Sequence, residues 1–237
     1  MSLASLQMPL GVPGYQYDSA AQMAEALAQR IAETLRQALG ERGRALLLVS
    51  GGRSPVALFE RLAREPLPWK QVLVSLVDER WVAPSHPDSN EALVRRHLLQ
   101  GPAAEACFVS LYQPATSHAQ AAERAEARLA GLPPADVLLL GMGDDGHSAS
   151  LFPGSPNLAE ALREDCPQRL LPLRAPSAPV ERLSLTLPPL RAARLALLAI
   201  QGQPKLATLA RALQPGAAEA LPIRALLRPP LQIHWCP

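Results

Sequence analysis

The chain has few cysteines, no excess of charge and no long apolar run, and each shortage removes a class of protein. Cys107, Cys166 and Cys236 are its only cysteines. They lie far apart and are odd in number, so neither a disulfide frame nor a CxxC metal site is expected. Reduced thiols of a cytoplasmic protein fit this usage. The formal net charge is +2. That near balance argues against a large nucleic-acid footprint and leaves room for a local basic pocket. No apolar stretch approaches the roughly 20 residues of a membrane span. Met1 to Pro13 shows neither a basic start nor a cleavage pattern, so no signal peptide is expected. No fixed-period repeat stands out. Three catalytic signatures are missing too: the GxxxxGK[ST] phosphate loop, the GxSxG nucleophile elbow, and HExxH or any paired His/Cys set for a catalytic metal.

What is present is enough to bury a substantial core. The 237 residues are 48% hydrophobic, and one domain over residues 1–237 is expected. Asp18 or Ser19 can cap a helix running to about residue 39, with Met23, Leu27, Ile31, Leu35 and Leu39 drifting along one face. Gly40 or Gly43 ends it. Ala45–Val49 is apolar on both faces, as a parallel sheet requires. It runs into Ser50-Gly51-Gly52-Arg53-Ser54-Pro55, with Ser54 suited to the N-cap and Pro55 to the first turn of a helix over 56–64. Such a junction offers N–H groups and a positive dipole end to an anion, and Arg53 adds charge. The other reading is a tight turn that needs its glycines for geometry only.

A second buried strand over 72–77 ends in Asp78-Glu79-Arg80-Trp81. These charges mark either a site at a strand's carboxyl end or a surface salt-bridge cluster. A turn-rich loop follows, in which His86 either lines a pocket or is simply solvated. Asp88 or Ser89 caps a helix to about residue 99, with His97 on its surface. A short strand over 108–111 and a helix over His118–Leu129 capped by Ser117 come next. After Pro153 the chain is irregular and proline-rich, with candidate strands over 169–173 and 182–187. The second alternates and should have one polar face. A strand over 194–200 leads to Gly202-Gln203-Pro204-Lys205, where a first-turn lysine sits against the helix dipole and suggests an anionic ligand. A last strand spans 231–235, with His234 and Cys236 read as edge-strand packing. Strand and helix alternate, which predicts an α/β fold: a doubly wound, mostly parallel, Rossmann-like sheet with helices on both faces and its site at the carboxyl edge.

The most informative stretch follows the strand Val137–Leu140: Gly141-Met142-Gly143-Asp144-Asp145-Gly146-His147-Ser148-Ala149-Ser150-Leu151-Phe152-Pro153. It contains GxGxxG, but a dinucleotide fingerprint needs the first βα unit and a long helix behind it. Here the loop comes past mid-chain, Pro153 breaks the segment, and Asp144 and Asp145 would repel a pyrophosphate. A catalytic loop is the better reading. The Ser50–Ser54 loop, Asp78, Arg80, Asp145, His147, Arg182 and Lys205 are expected at one edge. Several are cations or N–H donors, which suit a phosphorylated substrate. Only His147 among them titrates near neutral pH without a shift. A histidine base activating water against an electrophilic carbon is the simplest chemistry left.

Ser-Gly-Gly-Arg-Ser-Pro at 50–55, Asp78-Glu79-Arg80, Asp88-Ser89-Asn90, the segment 141–153, Arg182-Leu183-Ser184-Leu185-Thr186 and Gly202-Gln203-Pro204-Lys205, in this order, resemble the 6-phosphogluconolactonases. The resemblance covers essentially the whole chain. It implies the sugar-phosphate isomerase-like fold and hydrolysis of 6-phospho-D-glucono-1,5-lactone to 6-phospho-D-gluconate, with no metal or organic cofactor. It implies a small phosphorylated sugar lactone as partner, no nucleic acid, no membrane, and a cytoplasmic monomer or weak homodimer. Carried onto this chain, His147 is the base, Asp145 holds its tautomer, and Arg80 or loop amides near Gly143 meet the oxyanion. Ser50, Gly51, Gly52, Arg53, Asp78, Gly143, Arg182 and Lys205 are the expected substrate-binding residues. Of these, Gly51, Gly52, Arg53, Arg182 and Lys205 are expected to seat the 6-phosphate. Glucosamine-6-phosphate deaminase resembles the same fold, but its Phe-Asn-Glu-Pro type segment supplies a carboxylate where this chain has Ser150-Leu151-Phe152-Pro153-Gly154. A non-catalytic sugar-phosphate sensor would carry a helix-turn-helix ahead of the first strand, where a single helix is expected here.

Overall fold

A three-residue strand, β1 (Gly14–Gln16), precedes the first long helix, α1 (Ala20–Arg42). A computed structural model describes residues 2–237; Met1, the first residue of the stretch weighed above as a leader, lies outside them. The chain then alternates. It forms β2 (Ala45–Val49), α2 (Val56–Leu62), β3 (Val72–Leu76), β4 (Asp78–Arg80), α3 (Asn90–His97), β5 (Cys107–Val109), α4 (His118–Leu129) and β6 (Val137–Leu140). The second half adds α5 (Leu158–Ala161), β7 (Leu170–Arg174), β8 (Glu181–Leu185), α6 (Leu187–Arg191), β9 (Leu195–Gln201), α7 (Gly202–Ala212) and β10 (Leu231–Cys236). Ser19 starts α1 by accepting a hydrogen bond from the N–H of Gln22, and Gly43 ends it. Ser89 and Ser117 cap α3 and α4 in the same way. Ser54 does not cap α2. Pro55 holds that position in helical backbone, with no side-chain cap.

Seven strands form one parallel sheet in the order β1-β10-β9-β6-β2-β3-β5. The chain runs outward from β2 to β3 and β5. It then returns to β6 on the other side of β2 and runs outward again to β9 and β10. Right-handed crossovers in the two directions put helices on opposite faces. The reversal lies between β2 and β6, and such switch points open a crevice beyond the strands' carboxyl ends. Both strands are buried throughout, which is why they read as unbroken apolar runs. The N–H of Ser50 donates to the Leu139 carbonyl at 2.9 Å and ties the two strand ends together.

The doubly wound expectation holds for this sheet. It does not account for a second, antiparallel sheet of three strands, β4-β8-β7. Asp78, Glu79 and Arg80 therefore follow the carboxyl end of β3 as expected, but not in a loop, and they are not a surface cluster. They are a strand, paired Asp78 to Ser184, Glu79 to Leu183 and Arg80 to Arg182. The polar face expected of the alternating segment at 182 is there, in Arg182, Ser184 and Thr186, but it is not exposed. Arg182, Leu183, Ser184, Leu185 and Thr186 are all buried, because β8 is covered on both sides. At the other end of the large sheet β10 is not an edge strand: β1 lies outside it. No described helix is long and apolar enough to cross a membrane.

Candidate active site

A cavity of about 390 Å³ opens where the two sheets meet. That is within the range of roughly 300–1,000 Å³ usual for small-molecule sites. From the large sheet come Ser50, Gly51 and Gly52 behind β2, Gly143 and His147 behind β6, and Lys205 at the start of α7. From the small sheet come Asp78, Arg80 and Arg182. Nine expected residues thus line one cavity. Arg53 does not: the chain turns at Gly52 (φ +94°) and leaves Arg53 exposed, outside the lining. His86 is exposed and lies outside it too, accepting the N–H of Asp88 at Nδ1. His97 sits on the helix surface, 2.9 Å from Glu60.

His147 is held from below. Its Nδ1 lies 2.5 Å from Oδ1 of Asp145, which also accepts the His147 backbone N–H at 3.1 Å. A carboxylate only accepts, so Nδ1 carries the proton and Nε2 is left as the basic nitrogen. The bond to His147 keeps the Asp145 carboxyl below its usual range, against a smaller opposing effect of burial. The Phe152 ring packs on the imidazole, with centroids 4.2 Å apart and planes at 38°. Gly143 is required at its position: a Cβ there would lie 2.1 Å from Nδ1 of His147 and 2.5 Å from Oδ1 of Asp145. The N–H of Gly143 donates to the His147 carbonyl at 2.8 Å. That amide closes the loop and is not free to receive an oxyanion.

The opposite wall is cationic. Arg80 and Arg182 are directly opposed in the β4–β8 ladder, where like charges repel. Arg182 is buried; burial first, and Arg80 second, hold its pKa below the usual arginine value. Its carbonyl accepts from Nε2 of His118, whose ring stacks on Trp81. Four buried side-chain polar atoms among the described residues have no hydrogen-bond partner, and three of them belong to this cavity: Oγ of Ser50 and Nε of Arg80 and Arg182. Buried donors left unpaired are costly unless a ligand completes them. Lys205 meets Oδ1 of Asp144 at 3.0 Å, so the anion nearest it in the chain is a side chain of the loop itself.

Several residues of this site were not singled out from the sequence. Asn90 entered only within a motif, yet it donates through Nδ2 to the Asp78 carbonyl at 2.9 Å and fills the space over Gly51. A Cβ on Gly51 would sit 1.9 Å from Oδ1 of Asn90. Ser150 donates to Oδ2 of Asp78 at 2.5 Å and fastens the His147 loop to β4. Phe152 lies between His147 and Arg182, whose guanidinium is 5.7 Å from the ring centroid. Among the described residues no three His, Cys, Asp or Glu side chains gather as a metal-holding group.

Comparison with known proteins identifies the family. The family model of glucosamine-6-phosphate isomerases/6-phosphogluconolactonase matches residues 18–235. A 6-phosphogluconolactonase of Pseudomonas aeruginosa is 56% identical over 238 residues, covering 100% of both chains. One from Pseudomonas putida is 51% identical over 100% of this chain and 98% of its own. The crystal structure of a 6-phosphogluconolactonase from Shewanella baltica superposes with a TM-score of 0.93 at 35% identity, covering 98% of this chain and 100% of that one.

Proposed function

The chain belongs to the family of glucosamine-6-phosphate isomerases and 6-phosphogluconolactonases, and we infer that it hydrolyses 6-phospho-D-glucono-1,5-lactone to 6-phospho-D-gluconate. One observation carries the assignment of roles: a histidine oriented by a carboxylate shares a cavity with two opposed arginines whose buried Nε atoms have no partner. The arginines await an anion, and the imidazole awaits a proton.

Nε2 of His147 takes a proton from water, and the hydroxide attacks C1 of the lactone. Asp145 fixes the tautomer that leaves Nε2 basic and stabilises the imidazolium that forms. The carbonyl oxygen becomes an oxyanion, for which Arg80 is the donor; the N–H of Gly143, engaged with His147, is not available. Collapse expels the ring oxygen, which takes the proton back from Nε2, and the chain opens to the free acid. Ser50, Gly51, Gly52, Arg182 and Lys205 seat the 6-phosphate, and Asp78 faces the sugar hydroxyls. Arg53 has no part in this seat. The reading includes a single catalytic domain over residues 1–237, acting as a monomer or weak homodimer. It includes a cytoplasmic setting, which the widely spaced free cysteines favour.

The test is hydrolysis of freshly generated lactone, coupled to 6-phosphogluconate dehydrogenase and measured against the spontaneous rate. His147→Asn is expected to reduce kcat to near background while inorganic phosphate still binds. A variant that retains most of its activity would remove His147 from the role of base.

A further inference from the structure

We infer that Glu79 is a positioning residue for this reaction, a buried carboxylate that touches no substrate and fixes Arg80 and Asn90 in the cavity wall. The inference rests on the role given to Arg80 above. Glu79 lies on β4 between two cavity residues and is fully buried outside the lining. Its partners are four donors and no cation. Oε1 accepts the N–H groups of Arg80 and Asn90, both at 2.7 Å. Oε2 accepts the N–H of Glu91 at 2.7 Å and the hydroxyl of Ser89 at 3.0 Å.

Burying a carboxyl with no ion-pair partner in contact is expensive. Burial pushes this one up to about 7, and the hydrogen bonds pull the other way. At α3 the carboxylate shares the cap with Ser89: Ser89 accepts the N–H of Ala92, and Glu79 takes the two N–H groups ahead of it, at the positive end of the helix. What Glu79 adds is a clamp between β4 and the start of α3. On the β4 side it holds the backbone of Arg80, and so the register that opposes Arg80 to Arg182. On the α3 side it holds Asn90, whose carboxamide bonds Asp78 and fills the space over Gly51. Three residues of the cavity wall, Asp78, Arg80 and Asn90, thus take their places from one carboxylate behind it.

Glu79→Gln keeps the shape and breaks the pattern. Whichever way the carboxamide lies, its NH2 meets at least one backbone N–H. The expected result is a kcat lowered by about tenfold or more, with a smaller change in KM, since a small misplacement of a catalytic group acts on the transition state. In an Arg80→Ala background the same substitution should cost kcat less than it does alone. A lower melting temperature with wild-type kcat in the folded fraction would make Glu79 merely structural and overturn the inference. So would a loss confined to KM, or one fully additive to Arg80→Ala. If Arg80→Ala itself keeps wild-type kcat, the role of Arg80 falls and the clamp with it; the His147→Asn result is independent of both. Should Glu79→Gln fail to fold, Ser89→Ala deletes one of the four donors and should lower kcat in the same sense by less. An unchanged kcat there overturns the clamp.

Discussion

A Cβ placed on Gly143 would lie 2.1 Å from Nδ1 of His147. The catalytic imidazole is therefore packed against bare backbone, and the packing fixes its height in the cavity. Gly143→Ala should push the ring and Asp145 aside together. The chemical step is expected to slow by about a hundredfold, the effect of a displacement of about an ångström. Single-turnover hydrolysis measures it, with phosphate binding as the check that the rest of the cavity survives. Near-normal turnover would show that the contact does not hold the ring.

Arg182 stands opposite a like charge in a buried strand, an arrangement that costs stability until an anion arrives. Arg182→Met should leave the unliganded stability unchanged or raise it, by an amount on the order of 1 kcal/mol. The same variant should lose most of the stabilisation that inorganic phosphate gives the wild type. Thermal melts over a phosphate series decide it. A variant that keeps the full phosphate-dependent rise would take Arg182 out of the phosphate seat.

Lys205 is paired with Asp144 in the unliganded site. A substrate phosphate must compete with that carboxylate. Asp144→Asn should lower KM for the phosphorylated lactone by up to about fivefold, the scale of an exposed ion pair, and leave kcat alone. A raised KM would mean that Asp144 helps to bind the substrate and does not compete with it.

His234 is buried beneath Tyr15 and beside Tyr17, whose hydroxyl oxygen is 2.8 Å from Nδ1. Burial, with a smaller contribution from Arg30, lowers its pKa to about 4. Between pH 6.5 and 4 the unfolded chain binds the proton and the folded one does not. Stability is therefore lost as pH falls through that window, by something on the order of 3 kcal/mol at its acid end. Glu79, with its raised pKa, acts in the opposite sense between about 4.5 and 7. Urea unfolding of wild type and His234→Gln separates the two, because Glu79 is common to both. The variant should lose less stability on acidification; equal losses would deny His234 the effect.

The large sheet could be read in the sequence because burial on both faces leaves unbroken apolar runs. Ala45–Val49, Val137–Leu140 and the helix His118–Leu129 fall where the pattern puts them. The glycine loops behind β2 and β6 could also be read, since turns of that kind need glycine. Of the small sheet, β7 and β8 lie where candidate strands are expected, at 169–173 and 182–187, but β4 could not be read. Asp78-Glu79-Arg80 has no apolar alternation, and its pairing is set by β8, remote in the chain. Glu79 was invisible for the same reason: a glutamate's burial depends on which N–H groups surround it, and those come from α3. Arg53 lies outside the lining because the chain turns at Gly52, and charge and position in the sequence do not carry that direction. β1 is three exposed residues, which carry no strand signal until β10 is beside them.

The pairing of β4 with β8 also bears on how the site comes into being. Closing so long a loop costs entropy before any contact repays it, so a non-local ladder of this kind forms late. The phosphate loop behind β2 waits on β6 as well, since the Leu139 carbonyl holds the Ser50 N–H. The opposed arginines cannot meet until β8 is present and docked. Recovered turnover therefore reports completion of the fold where recovered helix does not.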